Sequence, residues 1–255
     1  MYFPNFSLEG RVALITGGRR GIGKAIALVF AQAGADIAIA DIENADDAVQ
    51  EIRGLGRRSL AIRVDVRSEA DVYNAVDAVV KQLGTIDILV NCASIFMMKS
   101  LMNTSEEEWY RTMDINLKGY FLFSKAAAKA MMERRKGVII NIISNAAKQT
   151  YATAGAYSVA KAGAAMLTKC LALELVPYNI RVNGIGPGPT RTQLNKDCWE
   201  DPKVREKFES QMPFKRFAEP EELSGIALLL ASDASSYMTG QTVYSDGGVM
   251  LLGSV

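Results

Sequence analysis

The sequence predicts an α/β domain with a doubly wound sheet, about seven parallel strands covered by helices on both faces. Three observations predict it. Short continuous Val/Ile/Leu runs alternate with helical segments, the pattern of strands buried on both faces. A glycine-rich loop, Thr16-Gly17-Gly18-Arg19-Arg20-Gly21-Ile22-Gly23, stands between the first apolar run and a helical run. Distinctive residues fall at the carboxyl ends of successive runs (Gly17, Asp41, Asp65, Asn91, Ser144, Pro187), the edge where such sheets bind ligands. At 255 residues and 49% hydrophobic the chain can bury one large core, so residues 1–255 are expected to form a single domain.

Taken in order, Val12–Thr16 is the first strand, and the helix after the glycine loop runs to about Ala33, stopped by Gly34. Asp36–Asp41 is a second strand and Ser59–Val66 a third. Ser68-Glu-Ala-Asp71 starts a helix in the manner of a capping box, and Ile86–Asn91 is a fourth strand. Thr104-Ser-Glu-Glu107 opens a long helix toward Arg135. Val138–Ile143, Ile180–Ile185 and a short Thr242–Ser245 complete the strands. The irregular stretch 186–219, rich in Pro and charge, carries a short helix from Asp201 to about Met212; beside a ligand edge an insertion of that length reads as a substrate lid.

Composition removes several classes. Net charge is +1 with charges interspersed, so no nucleic-acid or membrane-surface partner is expected, and no apolar run approaches the roughly 18 residues of a membrane span. The first ten residues lack the basic and apolar regions of a signal peptide. Three cysteines (Cys92, Cys170, Cys198), odd in number and without a CxxC pair, fit a reduced, cytoplasmic protein. There is no histidine, which removes Ser–His and Cys–His nucleophiles and His-ligated metal; no metal site is expected. Any general acid must then be Tyr, Lys, Cys or a carboxylate.

Gly17, Gly21 and Gly23 permit a tight turn, close approach of backbone to phosphate and close helix–strand packing, while the helix N-terminus supplies amide donors. The spacing is GxxxGxG rather than the commoner GxGxxG. Asp41 ends the second strand, where a carboxylate bonds the adenosine ribose hydroxyls and repels a 2′-phosphate, arguing for NAD. Arg20 can instead accept that phosphate, arguing for NADP; Asp41 is given more weight.

In Tyr157-Ser-Val-Ala-Lys161 a tyrosine and a lysine lie one helical turn apart on one face. A tyrosine with its ordinary pKa of about 10 is a poor base at neutral pH, and a nearby cation favours its phenolate. Ser144, at the mouth of the fifth strand, can hold a substrate oxygen, and Asn116 on the long helix can orient a water leading a proton chain to bulk. Taken singly, each has a plain structural explanation: a core aromatic, a surface lysine, a strand-end cap, a satisfied helix amide. Following a nucleotide loop, the four together point to proton transfer beside a hydride carrier.

With these residues in place the chain resembles the short-chain dehydrogenase/reductases, from Arg11 to Gly248. The glycine loop matches TGxxxGIG, Asn116, Ser144, Tyr157 and Lys161 match the active-site set, Asn91-Cys-Ala-Ser94 matches NNAG, and Pro187-Gly188-Pro-Thr190-Arg-Thr192 matches PGxxxT. Asn183 and Ser245-Asp-Gly-Gly248 add to the likeness. The resemblance implies a Rossmann fold and NAD, or NADP, as cofactor. It implies a cofactor site of Gly17, Arg19, Arg20, Gly21, Ile22, Gly23, Asp41, Ile42, Asp65, Val66, Asn91, Ala93, Tyr157, Lys161, Pro187, Gly188, Thr190 and Thr192. In it Asp65-Val66 meets the adenine, Pro187–Thr192 seats the nicotinamide carboxamide, and Lys161 holds the nicotinamide ribose. Tyr157 would exchange a proton with the substrate oxygen, Ser144 polarise it and Asn116 support the water relay. A homotetramer or homodimer is implied, through the long helices and the C-terminal segment with its apolar Val249-Met-Leu-Leu252. Departures are Cys92 and Ser94 in place of Asn and Gly, and Ile143 where a first serine is usual.

Substrate candidates are Ile95–Met98, Ala146–Tyr151, Arg191, Lys196, Cys198 and Trp199. Lys148, Gln149, Arg191 and Lys196 suit a polar or acidic substrate; Phe96, Met97, Met98 and Trp199 suit an apolar ring or chain. The segments Phe6–Gly10, Ile185–Gly188, Pro213–Arg216 and Gly240–Tyr244 resemble the sugar-acid members, the gluconate 5-dehydrogenase and deoxygluconate type. They imply a secondary hydroxyl of a sugar acid or polyol as substrate. Alternatives are 3-oxoacyl-carrier-protein reduction, cyclic alcohols or steroids and, in another class, a catalytically silent nucleotide-binding scaffold.

Overall fold

Seven strands, β1 (Val12–Thr16), β2 (Asp36–Asp41), β3 (Ser59–Arg63), β4 (Ile88–Asn91), β5 (Gly137–Ile142), β6 (Ile180–Pro187) and β7 (Thr242–Ser245), form one sheet in the computed structural model. All pair in parallel, in the order β3-β2-β1-β4-β5-β6-β7. The structure describes residues 4–252, so the ends of the expected 1–255 domain, 1–3 and 253–255, lie outside the described residues. The chain leaves β1 toward β2 and β3, then returns to β4 on its other side. That reversal opens a crevice at the carboxyl ends of β1 and β4.

The strand sequences are continuously apolar because alternate side chains enter two different cores. Val12, Leu14, Ala38, Ala40, Leu89 and Ile139 pack under α3 (Glu69–Leu83), α5 (Gly119–Arg134) and α6 (Gly155–Leu175). Ala13, Ile15, Ile37, Ile39, Val90 and Ile140 pack under α1 (Gly21–Gln32), α2 (Asp46–Gly54) and α8 (Ser224–Ala231). Each fully buried Ile or Leu there contributes about 1.5–3 kcal/mol. A polar network crosses the sheet: Asn91 Nδ2 donates to Asn141 Oδ1 (2.8 Å) and Ser124 Oγ (3.0 Å), and Asn141 Nδ2 donates to Thr168 Oγ1 (2.8 Å).

Several boundaries differ from the sequence expectation. β3 stops at Arg63, not Val66, because β2 ends at Asp41; the Asp41 carbonyl takes the Val64 amide, and the chain turns with Ser68 N–H on the Asp65 carbonyl. β6 runs on to Pro187 because β7 supplies a partner as far as Ser245. Regular pairing in β4 begins only at Ile88. The long helix starts one residue later than read, with Ser105 rather than Thr104 as cap and Glu108 completing the box. It is also broken: α4 (Glu106–Met113) passes into α5 through one π turn, Asp114–Lys118, which contains Asn116. The helix expected near 201–212 is α7 (Pro202–Ser210), capped by Asp201. The sequence reading named neither α2 nor α8.

Candidate active site

The crevice is a groove of about 1400 Å³ at the carboxyl edge of the sheet. Its floor begins at the glycine loop. Gly17 has φ +67°, and a Cβ there would lie 2.8 Å from Ala93 Cα; a Cβ on Gly23 would lie 2.3 Å from the Gly17 carbonyl oxygen. Side chains at either position would separate the loop from its neighbours. Thr16 Oγ1 accepts from the amides of Cys92 (2.9 Å) and Ala93 (3.1 Å), tying the segment after β4 to this loop. The N-cap of α1, Arg20, makes no side-chain cap bond and no acidic residue lies in the first turn. The free amides and the positive end of the helix dipole therefore suit an anion such as a pyrophosphate.

At the end of β2, Asp41 is oriented by backbone amides, Arg19 N–H on Oδ2 (3.3 Å) and Glu43 N–H on Oδ1 (3.1 Å). The Arg19 guanidinium is occupied by the Asn44 carbonyl (3.0 Å) and Glu43 (2.9 Å) and does not line the groove. Arg20 lines it and is exposed. Asp65 and Val66 stand at the far wall, where Arg67 clasps Asp65 (2.6 Å) and holds its carboxyl below the usual range. Gly21, Ile22, Ile42 and Ala93 also border the groove. Asn91 does not; its Nδ2 donates into the Asn141–Ser124 network at the end of β4. On the opposite wall lie Pro187, Gly188, Thr190 and Thr192, with Thr190 Oγ1 donating to the Gly188 carbonyl (3.0 Å). These residues together fit an extended dinucleotide: an anion seat in the middle, a carboxylate for hydroxyls at one end, and backbone polar groups at the other.

Tyr157, Lys161 and Ser144 come together beside that second end. Tyr157, on the first turn of α6, is half-buried with its ring edge-on to Phe96 (centroids 5.1 Å, 76°). Burial pushes its phenol up to about 12, opposed by the Ser144 and Ser94 hydroxyls. Lys161, one turn on, is buried; its Nζ donates to the Ile142 carbonyl (2.9 Å) and the Tyr120 hydroxyl (3.0 Å) and lies 5.6 Å from the Tyr157 ring centroid. Burial pulls this amine down to about 7. Both shifts have the same cause, the cost of carrying charge out of water. Ser144 stands just beyond β5, its Oγ accepting from Ala146 N–H (3.1 Å) and facing the groove.

Asn116 lies inside the π turn between α4 and α5. Its side chain is fully buried and does not line the groove; Oδ1 accepts from Ser94 Oγ and Ile95 N–H, and Nδ2 donates to the Ile95 carbonyl, all at 2.9 Å. It anchors the loop after β4, with one hydrogen of Nδ2 spent on the Ile95 carbonyl. Ser94, a departure from the usual glycine, thus carries a hydroxyl between Asn116 and the Tyr157 phenol. Sequence reasoning missed Thr16 and Tyr120, whose surroundings in the sequence are those of a strand end and a core aromatic.

Of the substrate candidates, Ile95, Phe96, Met98, Ala146, Gln149, Thr150, Tyr151 and Cys198 line the groove. The basic ones do not: Arg191 pairs with Glu219 (3.0 Å) and Glu209 (3.6 Å), Lys196 with Glu200 (3.1 Å), and Lys148 lies over the Tyr244 ring (4.7 Å). Trp199 donates to the Thr192 carbonyl (3.0 Å) and packs outside it. Outside those candidates, Gln193 and Gln211 add polar groups to the wall.

Comparison with known proteins agrees with this geometry. The family model described as enoyl-(acyl carrier protein) reductase matches residues 17–250. The chain is 40% identical to a 3-oxoacyl-[acyl-carrier-protein] reductase of Thermotoga maritima, over 96% of this chain and 99% of that protein. It is 35% identical to the 2-dehydro-3-deoxy-D-gluconate 5-dehydrogenase of Escherichia coli, over 97% and 98%. Among solved structures, a gluconate 5-dehydrogenase of Burkholderia cenocepacia in complex with NADP and tartrate is 36% identical, covering 97% of this chain and 98% of that one, with TM-score 0.92. A short-chain type dehydrogenase/reductase of Mycobacterium marinum is 39% identical, covering 96% and 97%, also at TM-score 0.92. Likeness of this extent in sequence and fold means that the chain belongs to the short-chain dehydrogenase/reductase family, NAD(P)-dependent oxidoreductases acting on CH–OH groups.

Proposed function

We propose that the protein interconverts a secondary alcohol and its ketone on a sugar acid or polyol, with NAD as the preferred cofactor. The observation that carries this is the meeting of Tyr157, Ser144 and Lys161 in the groove that begins at the glycine loop. When bound, the nicotinamide supplies the hydride acceptor or donor. Tyr157 Oη takes the hydroxyl proton in oxidation and returns it to the carbonyl oxygen in reduction. Ser144 Oγ donates a hydrogen bond to that same oxygen, favouring the charge that develops on it. The Lys161 ammonium lowers the cost of the phenolate, and Asn116 supports the proton route by fixing the Ser94–Ile95 loop beside Tyr157. The segment 186–219 forms the lid: Thr192, Gln193 and Met212 border the groove from it.

Asp41, fixed by two amides and adjacent to Glu43, makes the ribose end electronegative, while Arg19 is neutralised by Glu43. That supports NAD; Arg20 is the one groove cation at the glycine loop that favours a 2′-phosphate. Gln149, Thr150, Gln193 and Gln211 support a substrate with several hydroxyls, and the named sugar-acid relatives point the same way. The Thermotoga relative, with the Phe96–Met98 wall, favours a second reading, a 3-oxoacyl thioester.

The test follows reduced nicotinamide by absorbance with sugar acids, polyols, 3-hydroxyacyl thioesters and cyclic alcohols, each with NAD and with NADP. Turnover confined to sugar acids or polyols with NAD is the expected outcome. Turnover confined to thioesters replaces the substrate reading, equal affinity for NADH and NADPH defeats the cofactor preference, and bound cofactor with no turnover on any substrate would mean a silent scaffold. Free thiols at all three cysteines fit a cytoplasmic location, and among the described residues no helix is long and apolar enough to cross a membrane. Phe121, Val159, Met166 and Leu173, exposed on α5 and α6, support a homotetramer or homodimer through these helices.

A further inference from the structure

We propose that Tyr120 is a positioning residue for Lys161, holding its amine at the base of the groove and helping to keep it charged. The proposal rests on the reading above, in which the Lys161 ammonium supports proton transfer at Tyr157.

Tyr120 lies on the first turn of α5, directly after the π turn and one turn from Asn116. It is 1% exposed, and the inward residues that follow on α5, among them Phe123, Ala127 and Met131, are apolar. A buried phenol needs a hydrogen-bond partner, and leaving it unpaired is costly. Here the hydroxyl donates to the Ile142 carbonyl (2.9 Å), and the same carbonyl accepts from Lys161 Nζ (2.9 Å). Lys161 Nζ also donates to the Tyr120 oxygen (3.0 Å), closing a triangle of three nearly equal sides. Because the phenol proton is directed at the carbonyl, its lone pairs are left for the amine. That arrangement matches a charged lysine, which has only donors to offer. The amine also lies 4.8 Å from the Tyr120 ring centroid, close enough for a cation–π contribution.

The groups facing Lys161 from each neighbouring element are few: Tyr120 from α5, the Ile142 carbonyl from β5, Cys92 after β4 and Tyr157 on its own helix. Among the described residues, no carboxylate forms an ion pair with it. Burial depresses the amine toward neutrality, opposed by the neighbouring Cys92 sulfur, and the two acceptors of the triangle add to that support of its charge. Tyr120 supplies one of them.

The test is Tyr120→Phe, which keeps the ring and deletes only the hydroxyl. Lys161 is titrated by NMR with isotope-labelled lysine, its signal assigned by loss in Lys161→Arg. Hydrogen bonds to charged groups are strong enough that the variant should lower the Lys161 titration by about one pH unit. The acid limb of kcat/KM for alcohol oxidation should rise by a similar interval, and turnover at pH 7 should fall about tenfold. NADH affinity should stay within about twofold, since Tyr120 does not line the groove. An unchanged Lys161 titration and pH profile, or a drop in Tm alone, would overturn the proposal. Should Tyr120→Phe fail to fold, difluorotyrosine at position 120 keeps the shape and weakens the acceptor; the titration must then shift in the same direction, and no shift rejects the idea. A parent enzyme whose turnover does not depend on Tyr157 would sink the functional reading, while the Lys161 titration would still judge this one.

Discussion

At the scale of single residues, the site places two ionisable groups where neither charged form is comfortable. Tyr157→Phe removes the proton carrier but not the ring that packs on Phe96, so NADH binding should persist while turnover falls by about 10²–10⁴-fold. Fluorescence titration and steady-state kinetics read the two effects separately, and near-normal turnover would remove Tyr157 from its role. Lys161 is costly to the fold for the reason that makes it useful. Its folded-state pKa, about 7, lies below the ordinary lysine value of about 10.4, so the unfolded chain binds the proton more readily between those values. Stability from this residue is therefore lost as pH falls from the upper value to the lower. Lys161→Met should abolish turnover yet raise Tm at pH 7 by roughly a few degrees, with the advantage shrinking as pH is raised toward 10. A lower Tm in that variant at neutral pH would show that the two hydrogen bonds of the amine outweigh its desolvation.

At the scale of elements, the π turn between α4 and α5 decides the geometry of the site. It inserts a wider turn into what otherwise reads as one helix, and such insertions are frequent at functional sites. Asn116, inside it, makes three bonds to Ser94 and Ile95 and so sets the wall that faces Tyr157. Asn116→Ala leaves Ile95 N–H and its carbonyl without those partners, at a cost of about 1–3 kcal/mol each if they stay dry. The expected result is a lowered Tm and a loss of kcat together with weakened NADH binding. Loss of kcat with Tm and NADH affinity unchanged would instead give Asn116 a direct part in proton transfer. The glycine loop, α1 and β4 were legible because each rule they follow is local: a strand, a turn demanding glycine, an uncapped helix start. The π turn was not, since Asp-Ile-Asn-Leu-Lys has no composition that separates it from ordinary helix.

At the scale of the whole molecule, α5 and α6 bury one face against the sheet and leave Phe121, Val159, Met166 and Leu173 exposed, Leu173 at 78%. Apolar side chains grouped on paired helices favour a contact with a second copy. Light scattering should give a mass that is a multiple of the 27.7 kDa chain, and Leu173→Asp should shift it toward that of one chain. A parent that scatters as 27.7 kDa would defeat the oligomer and leave the site unaffected.

The parallel sheet, its seven strands in chain order and the one-turn spacing of Tyr157 and Lys161 were legible in the residues alone, because hydrophobic runs, glycine turns and helical spacings are written locally. What those residues touch came from the packing of the layers. It turned Asn91 and Asn116 away from the groove into buried networks, paired Arg191 and Lys196 with carboxylates outside it, and brought Tyr120 from α5 against Lys161 from α6. Hydrogen bonds and ion pairs between elements far apart in the chain depend on how whole layers pack, and no local pattern of residue types encodes that distance.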